Sequence, residues 1–506
     1  MEFTRLHVPG RFFCPAFPLD FTRFAVLLFF LQRKKLGSFL HYPKVGCMKK
    51  PAKPNGIRSK ELRCSASRYN HFFPMEDGWL AYNAFSNSLA KVPAENIQII
   101  NRILKDPDVT LEDDRHSKIK DDLIRGGFLI DHHLDEFDVL KVQNMVGRFA
   151  NRQLSLTIAP TLHCNFSCSY CFENKKTDTM SPKIEEALLK FVDKELKSLK
   201  SLNIAWFGGE PLLRLDTIER LTAGFEKLCR EHDAIFHPGS IITNGYLLTG
   251  KNAERLKKAN IRHAQVTLDG TAAQHDQRRK LINGKGTFRE IVGNIMEAVE
   301  MMAITVRVNI DKENVGQLDD FLEFWQKEGL IDKANFYYGQ VQGNTSACAD
   351  IAGRCLSTRE YSQLIIELLF KAINHGIRNI RYPSLYKTGF CGADNLNSYV
   401  VSPSGNLFKC WEEISAEEDA AIGHLLEKEP GPPGIANAAR YLGWDPFTND
   451  HCKPCTIFPV CGGGCIFNAM KSPEKKECST WKYNLKEMLL LKSVELTNAR
   501  SNGGDK

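Results

Sequence analysis

Between residues 152 and 340 the sequence repeats one pattern: a short apolar run, a loop rich in glycine and polar residues, and an amphipathic stretch. Residues 154–159, 203–207, 240–243, 263–268, 305–310 and 334–338 have the length and apolar content of buried strands. Residues 182–199, 215–230, 252–259, 288–302 and 317–327 carry the helical period between them. Strands that alternate with helices need crossover connections, which run right-handed and make a parallel sheet covered by helices. Units of this kind curl toward a barrel. The fold class expected is therefore α/β, a partial (β/α)6 barrel of the TIM type spanning 149–340, with no accompanying sequence repeat.

Outside this span the pattern changes. Within 75–148, a hairpin at 79–84 and 88–92 turns through Phe85-Ser86-Asn87, and Val92-Pro93-Ala94-Glu95 opens a helix with Ile97, Ile100 and Leu104 on one face. A second helix carries Ile119, Leu123 and Ile124, stops at Gly126-Gly127, and precedes a strand at 128–130. This order predicts a winged-helix-like module. Glu112, Asp113, Asp114, Asp121 and Asp122 place acid where a phosphate backbone would approach, which argues against DNA. Residues 341–485 read as one helix at 358–375 followed by an irregular domain rich in Cys, Gly and Pro, with a turn at 430–434. A final helix at about 480–496 leads into a tail, so 486–506 form the last segment.

The formal charge of +7 invites a nucleic-acid or anionic-membrane reading. Residues 1–72, however, hold 14 Lys and Arg against 3 Asp and Glu, net +11, which leaves 53 against 57, net −4, for the rest of the chain. We read residues 1–74 as a basic, disordered or non-native leader, with a membrane-surface or targeting role as the alternative and initiation at Met48 or Met75 conceivable. The apolar run 24–31 is too short for the roughly 20 residues of a membrane span. Arg33, Lys34 and Lys35 follow it, the reverse of a signal peptide.

The 16 cysteines are unevenly spread, three in the first 163 residues and seven in the last 116, at spacings that point to metal rather than a disulfide scaffold. Cys164-x3-Cys168-x2-Cys171 follows directly on the first barrel strand. Three thiolates fall short of the four ligands of structural zinc, whereas in a four-iron cluster they leave one iron open to a small molecule. Phe207-Gly208-Gly209-Glu210-Pro211, Thr243-Asn244-Gly245, Asp269-Gly270 and Asn309 end successive strands on the same rim. In parallel barrels that rim carries the chemistry.

These residues resemble the radical S-adenosylmethionine (radical SAM) superfamily over 152–340. The resemblance implies a 4Fe-4S cluster on Cys164, Cys168 and Cys171 whose open iron chelates S-adenosylmethionine. It implies that Tyr170 contacts the adenine region and that Gly208, Gly209 and Glu210 contact the methionine amino group. Thr243, Asn244, Asp269 and Asn309 would lie near the ribose and carboxylate. One-electron reduction would yield a 5′-deoxyadenosyl radical that takes hydrogen from a substrate. His275, Asp276 and Arg279 form a further family-like stretch, or a solvated loop with local ion pairs.

Cys391, Gly405-x4-Cys410, Cys452-x2-Cys455-x5-Cys461-x3-Cys465 and Cys478 make a second set. A zinc ribbon on the Cys-x2-Cys pair accounts for four ligands and leaves three over. The order resembles the SPASM extension of radical SAM enzymes over roughly 353–485, which implies two auxiliary 4Fe-4S clusters, three in all. Cys452, Cys455, Cys461 and Cys478 would close one, and Cys391, Cys410 and Cys465 would hold the other. The latter is one ligand short, left open or filled by Cys355 or Cys348. Sulfatase-maturating members carry an Asp base directly after the Cys of the Gly-x4-Cys element. Here Trp411 stands there, followed by Glu412 and Glu413, the candidate catalytic acids. Cys14, Cys47, Cys64 and Cys229 belong to no motif.

The N-terminal module is similar to the leader-binding element of enzymes that modify ribosomally made peptides, which extend their sheet with a strand of the leader. The expected function is thus peptide maturation: leader capture, hydrogen abstraction, and a thioether, carbon–carbon or carbon–oxygen crosslink, with an external one-electron donor. The alternatives are maturation of a protein partner, such as a sulfatase or a quinone-bearing dehydrogenase subunit, and a zinc-bearing nucleic-acid binder. Clusters of this kind imply a reducing, cytoplasmic setting.

Overall fold

The structure is a computed structural model that describes residues 63–501 apart from 112, 175, 378–379, 386–390, 415–417 and 472–477. The apolar run 24–31, Cys14, Cys47 and the tail after 501 lie outside the described residues.

The chain enters through β1 (Cys64–Ala66), β2 (Asn70–Met75), β3 (Gly78–Asn83) and β4 (Ser88–Val92), followed by α1 (Ile97–Lys105), α2 (Asp114–Gly126), β5 (Leu129–Asp131) and α3 (Glu136–Phe149). β2, β3 and β4 form an antiparallel sheet. The Asn83 carboxamide oxygen accepts the Ser86 N–H at 2.7 Å and Asn87 takes φ 59°, which closes the β3–β4 turn. Asp113 caps α2 and Gly127, at φ 75°, ends it, as the glycine pair predicts.

Two expectations need correction here. The leader does not extend to residue 74: β1 and β2 precede Met75, Tyr69 is fully buried, and Phe72 packs against the core of Ala81, Val92, Ile100 and Phe128. The sheet is covered on both faces, by α1 and α2 on one and by Phe447, Phe458 and Leu489 on the other. β2 therefore lacks the alternating pattern that would mark it in the sequence. In the expected winged-helix-like module, the strand at 128–130 is β5, which pairs with β1 in a separate two-stranded ladder rather than with the hairpin.

The central region follows as β6 (Gln153–Ile158), α4 (Pro182–Leu196), β7 (Ser201–Trp206), α5 (Leu215–Glu231), β8 (Ile235–Phe236), β9 (Gly239–Thr243), α6 (Gly250–Lys258), β10 (Ile261–Thr267), α7 (Ala272–Arg278), α8 (Phe288–Ala298), β11 (Ala303–Ile310), α9 (Leu318–Lys327) and β12 (Asn335–Gln340). All six expected strands are present and lie parallel in the order β12-β11-β10-β9-β7-β6, with β8 beside β7. Alternate residues such as Leu156, Ile204, Val266 and Val306 pack under the helices in the main core. The other face is polar: Tyr337 donates to Gln265 at 2.8 Å and His263 bonds Thr305 at 2.9 Å. A face of this kind suits a polar occupant rather than a packed apolar interior.

The chain closes with α10 (Thr358–Asn374), β13 (Ser398–Val401), β14 (Asn406–Phe408), β15 (Gly423–His424), α11 (Pro432–Leu442), α12 (Phe458–Cys461), α13 (Ile466–Lys471) and α14 (Trp481–Ser501). β13 pairs parallel with β6, and β14 and β15 continue antiparallel beyond it, so this region extends the central sheet instead of standing apart. The result is one mixed sheet.

Candidate active site at the strand ends

The loop after β6 carries Cys164, Cys168 and Cys171, and its shape is set by contacts with the loop after β7. Gly209 N–H donates to the Thr161 carbonyl at 3.1 Å and Glu210 N–H to the His163 carbonyl at 3.0 Å. A Cβ on Gly208, which takes φ +114°, would sit 2.4 Å from the Thr161 carbonyl oxygen, and one on Gly209 would sit 2.4 Å from that of Leu162. The glycine pair thus lets two backbones touch directly below the cysteines. Burial, followed by the nearby Glu210 and the other two cysteines, pushes the Cys164 thiol up to about 12. Burial with Glu173 and Cys168 does the same to Cys171. A nearby positive charge, such as a metal group supplies, favours the thiolate form at such a site.

Glu210 is fully buried. Its Oε1 accepts from Thr243 Oγ1 at 2.7 Å and Leu212 N at 3.0 Å, and its Oε2 from Asn244 N at 2.7 Å. The carboxylate therefore ties the ends of β7 and β9 together. Asn244 Nδ2 in turn reaches Asn165 at 2.8 Å and Cys164 Sγ at 3.8 Å. On the other side, Tyr170 donates to Asp269 Oδ2 and accepts from Arg279 Nη1 at 2.8 Å and Asn309 Nδ2 at 3.1 Å. Asp269 Oδ1 accepts the Asn309 N–H at 3.0 Å. The rim residues expected from the sequence thus form two bonded networks, one around Glu210 and one around Tyr170 and Asp269.

Of the charges beside Tyr170 and Asp269, sequence reasoning marked Arg279 but missed Arg278 and Asp311. Arg278 Nη1 donates to both oxygens of Asp311 at 2.9 Å, its Nε lies 3.5 Å from Asp269, and its guanidinium lies 4.9 Å from the Tyr170 ring centre. The Asp269 N–H donates to His275 Nδ1 at 3.1 Å, so the imidazole proton sits on Nε2 and points at Thr287 Oγ1, which itself donates to the Arg279 carbonyl. Burial, then Arg279 and Arg278, hold His275 neutral, its pKa well below the ordinary value. The local ion-pair alternative for this stretch is accordingly a buried one: Arg278 and Arg279 are 6% and 7% exposed.

Arg279 Nε and Arg278 Nη2 are buried without a hydrogen-bond partner among the described residues, and Arg279 lies within electrostatic range of Cys168. Orphan cationic donors beside three thiols fit an anionic group seated between them. The ligands of one zinc ion stand only about 3.8 Å apart, from a Zn–S bond of about 2.3 Å. Among the described residues the single trio of potential metal ligands whose atoms all lie within 4.8 Å of one another is Asp131, His132 and His133, all exposed, and no cysteine trio is that tight. The donor set suits a larger cluster. Residues 158–324 match the radical SAM superfamily.

The chain carries a radical SAM domain. A cysteine-type anaerobic sulfatase-maturating enzyme of Clostridium novyi (strain NT) is 25% identical over 356 residues, covering 63% of this chain and 89% of that one. The radical SAM cyclopropyl synthase TigE of Paramaledivibacter caminithermalis is 21% identical over 496 residues, covering 86% of this chain and 97% of its own. The solved structure of native anSMEcpe with bound AdoMet and Cp18Cys peptide shares the fold with a TM-score of 0.52 at 18% identity, over 69% of this chain and 99% of that one. A radical SAM domain implies S-adenosylmethionine and a 4Fe-4S cluster.

The cysteines after the matched domain fall into two groups. Cys461, Cys455 and Cys478 all act electrostatically on Cys452, and Cys391 and Cys465 act on Cys410. Cys348 and Cys355 pack with Val341 and Ile351 against Tyr170 and Phe172, on the first cysteine loop. Glu412 and Glu413 also diverge. Glu412 is turned toward Arg307 and Glu173, whereas Glu413 lies by Tyr441. Trp411 stacks on Phe207, which stacks on Phe172, each pair at 6.2 Å.

Glu173 has no motif to mark it. It is 8% exposed, and burial with the neighbouring Glu412 pushes it up to about 8. A raised folded pKa favours the neutral acid. Its stabilising contribution is complete below the ordinary carboxylate range and is lost as pH rises through about 8. In the metal-free chain, Glu173→Gln is expected to melt with the parent near about pH 5 and above it near about pH 9. A melting difference that does not change between those conditions would refute the assignment.

Proposed function

We propose that the chain is a radical SAM maturase that modifies a ribosomally synthesised peptide. The observation that carries this reading is the N-terminal sheet: β2 is covered by the C-terminal region, where His71 bonds the Thr456 carbonyl at 3.1 Å, while β4 pairs with no further strand among the described residues. A leader segment would add to β4 through backbone hydrogen bonds, with side-chain pockets supplying selectivity. The rim group, when bound, supplies reductive cleavage of S-adenosylmethionine to a 5′-deoxyadenosyl radical. Cys164, Cys168 and Cys171 hold that group, Gly208 and Gly209 receive the methionine amino group, and Tyr170 with Asn309 faces the nucleoside. Glu210 acts by holding the glycine pair, since its oxygens are already taken by Thr243, Asn244 and Leu212. Asp269 likewise orients Tyr170 and Asn309. Two auxiliary clusters, on Cys452, Cys455, Cys461 and Cys478 and on Cys391, Cys410 and Cys465, would take up the substrate electron as a thioether, carbon–carbon or carbon–oxygen bond closes. An external one-electron donor in a reducing cytoplasm completes the scheme. Among the described residues no helix is long and apolar enough to cross a membrane.

Maturation of a protein partner is the second reading, favoured by the Clostridium novyi relative. The Trp411 ring, where sulfatase maturases carry an Asp base, weighs against formylglycine formation. Anaerobic incubation of the iron-loaded chain with reductant, S-adenosylmethionine and peptides encoded beside its gene tests the proposal. The expected result is a leader-dependent peptide product lacking two hydrogens for each crosslink. Modification of a neighbouring sulfatase instead would favour the second reading, and zinc without iron or sulfide would end both.

A further inference from the structure

We propose that the Tyr441 hydroxyl and the Trp444 indole N–H donate hydrogen bonds to the sulfurs of the cluster held by Cys391, Cys410 and Cys465, and so raise its reduction potential. The inference rests on the reading that this group of cysteines binds an auxiliary cluster.

Tyr441 lies in the last turn of α11 and is 1% exposed. It packs with Ala393 and Ile466, and Cys391, Cys410 and Trp444 close around the same small core. The Tyr441 hydroxyl and the Trp444 Nε1 are both buried, and neither has a hydrogen-bond partner among the described residues. A buried donor without an acceptor is costly, and two in one core point to an acceptor that the protein atoms do not supply. Three thiolates with their cluster sulfides are an acceptor of the right kind, anionic and multivalent. The Glu413 carboxylate also faces Tyr441 without a hydrogen bond of normal geometry, and its Oε2 is itself unpartnered. Tyr441 alone would therefore leave two acceptors in competition, but no competing acceptor bonds the indole among the described residues, which makes Trp444 the deciding residue. Hydrogen bonds to cluster sulfur offset the extra electron of the reduced state, and this is one of the levers that set cluster potentials.

The test uses the full chain loaded anaerobically with iron and sulfide, in a Cys164→Ala/Cys168→Ala/Cys171→Ala background that removes the rim signal. Tyr441→Phe and Trp444→Phe should keep the iron and sulfide of the background chain while shifting one midpoint, read by electron paramagnetic resonance during redox titration, to more negative potential. An exchangeable proton coupled to the reduced centre should be lost from each variant. Unchanged midpoints and proton couplings in iron-replete variants would overturn the proposal. Should Tyr441→Phe fail to retain iron, Trp444→Phe decides alone. Adding Cys391→Ala/Cys410→Ala/Cys465→Ala to the background should lower iron and sulfide. If it does not, the auxiliary-cluster reading itself has failed, a result distinguishable from the absence of a hydrogen bond to it.

Discussion

Replacing Cys164, Cys168 and Cys171 together by alanine is expected to reduce 5′-deoxyadenosine formation to the uncatalysed background, a loss of about a millionfold or more on the scale of ordinary enzymatic rate enhancements. The three thiols stand on one loop within electrostatic range of one another, below buried arginine donors that lack partners. Removing them leaves the Gly208–Gly209 contact and the Glu210 bonds intact, because those are made by backbone and by β9. The variant should therefore fold and still retain iron on the later cysteines. Chromatography after anaerobic incubation with reductant and S-adenosylmethionine reads the outcome. Product at the parent rate from the triple variant would sink the assignment of the rim.

Arg278→Ala is expected to destabilise the metal-free chain by about 3–5 kcal/mol, the range for removing one partner of a buried ion pair. The Arg278 side chain is 7% exposed, and the carboxylates it faces, Asp311 and Asp269, are fully buried. Without it Asp311 is left with Arg354 Nε at 3.9 Å as its ion-pair partner, Asp269 loses the guanidinium at 3.5 Å, and Tyr170 loses the cation that lies against its ring. Arg278→Lys should recover part of the stability, since an ammonium restores the charge but, as a compact group, cannot reach Asp311, Asp269 and the Tyr170 ring together as the planar guanidinium does. Chemical unfolding of the two variants beside the parent measures this. A loss below about 1 kcal/mol for the alanine variant, the range of exposed pairs, would contradict the buried triad.

How much of this is legible in the sequence follows from how local each signal is. β6 and β10 lie where the apolar runs predict, because a strand buried under helices has a compact composition of its own. The ends of α2 are legible because its capping residues, Asp113 and Gly127, act within one turn. β2 is not: Phe72 and Phe73 face opposite sides of a sheet covered on both, so its pattern matches no simple period. The site divides in the same way. The cysteine spacings are local and readable. The raised pKa of Glu173 is not, since Glu412 reaches it only through the fold.

By itself the sequence determined the alternation of strand and helix, the three cysteines that follow β6, and the glycine pair at 208–209, because hydrophobic period, ligand spacing and backbone freedom are properties of short segments. Tertiary structure alone decided that β13 joins β6, that Glu210 spends its oxygens holding two loops together, and that Arg278 and Arg279 are buried beneath Tyr170. Each of these is a meeting between residues distant in the chain. Their energies come from burial and from charges brought into range, which no local pattern encodes.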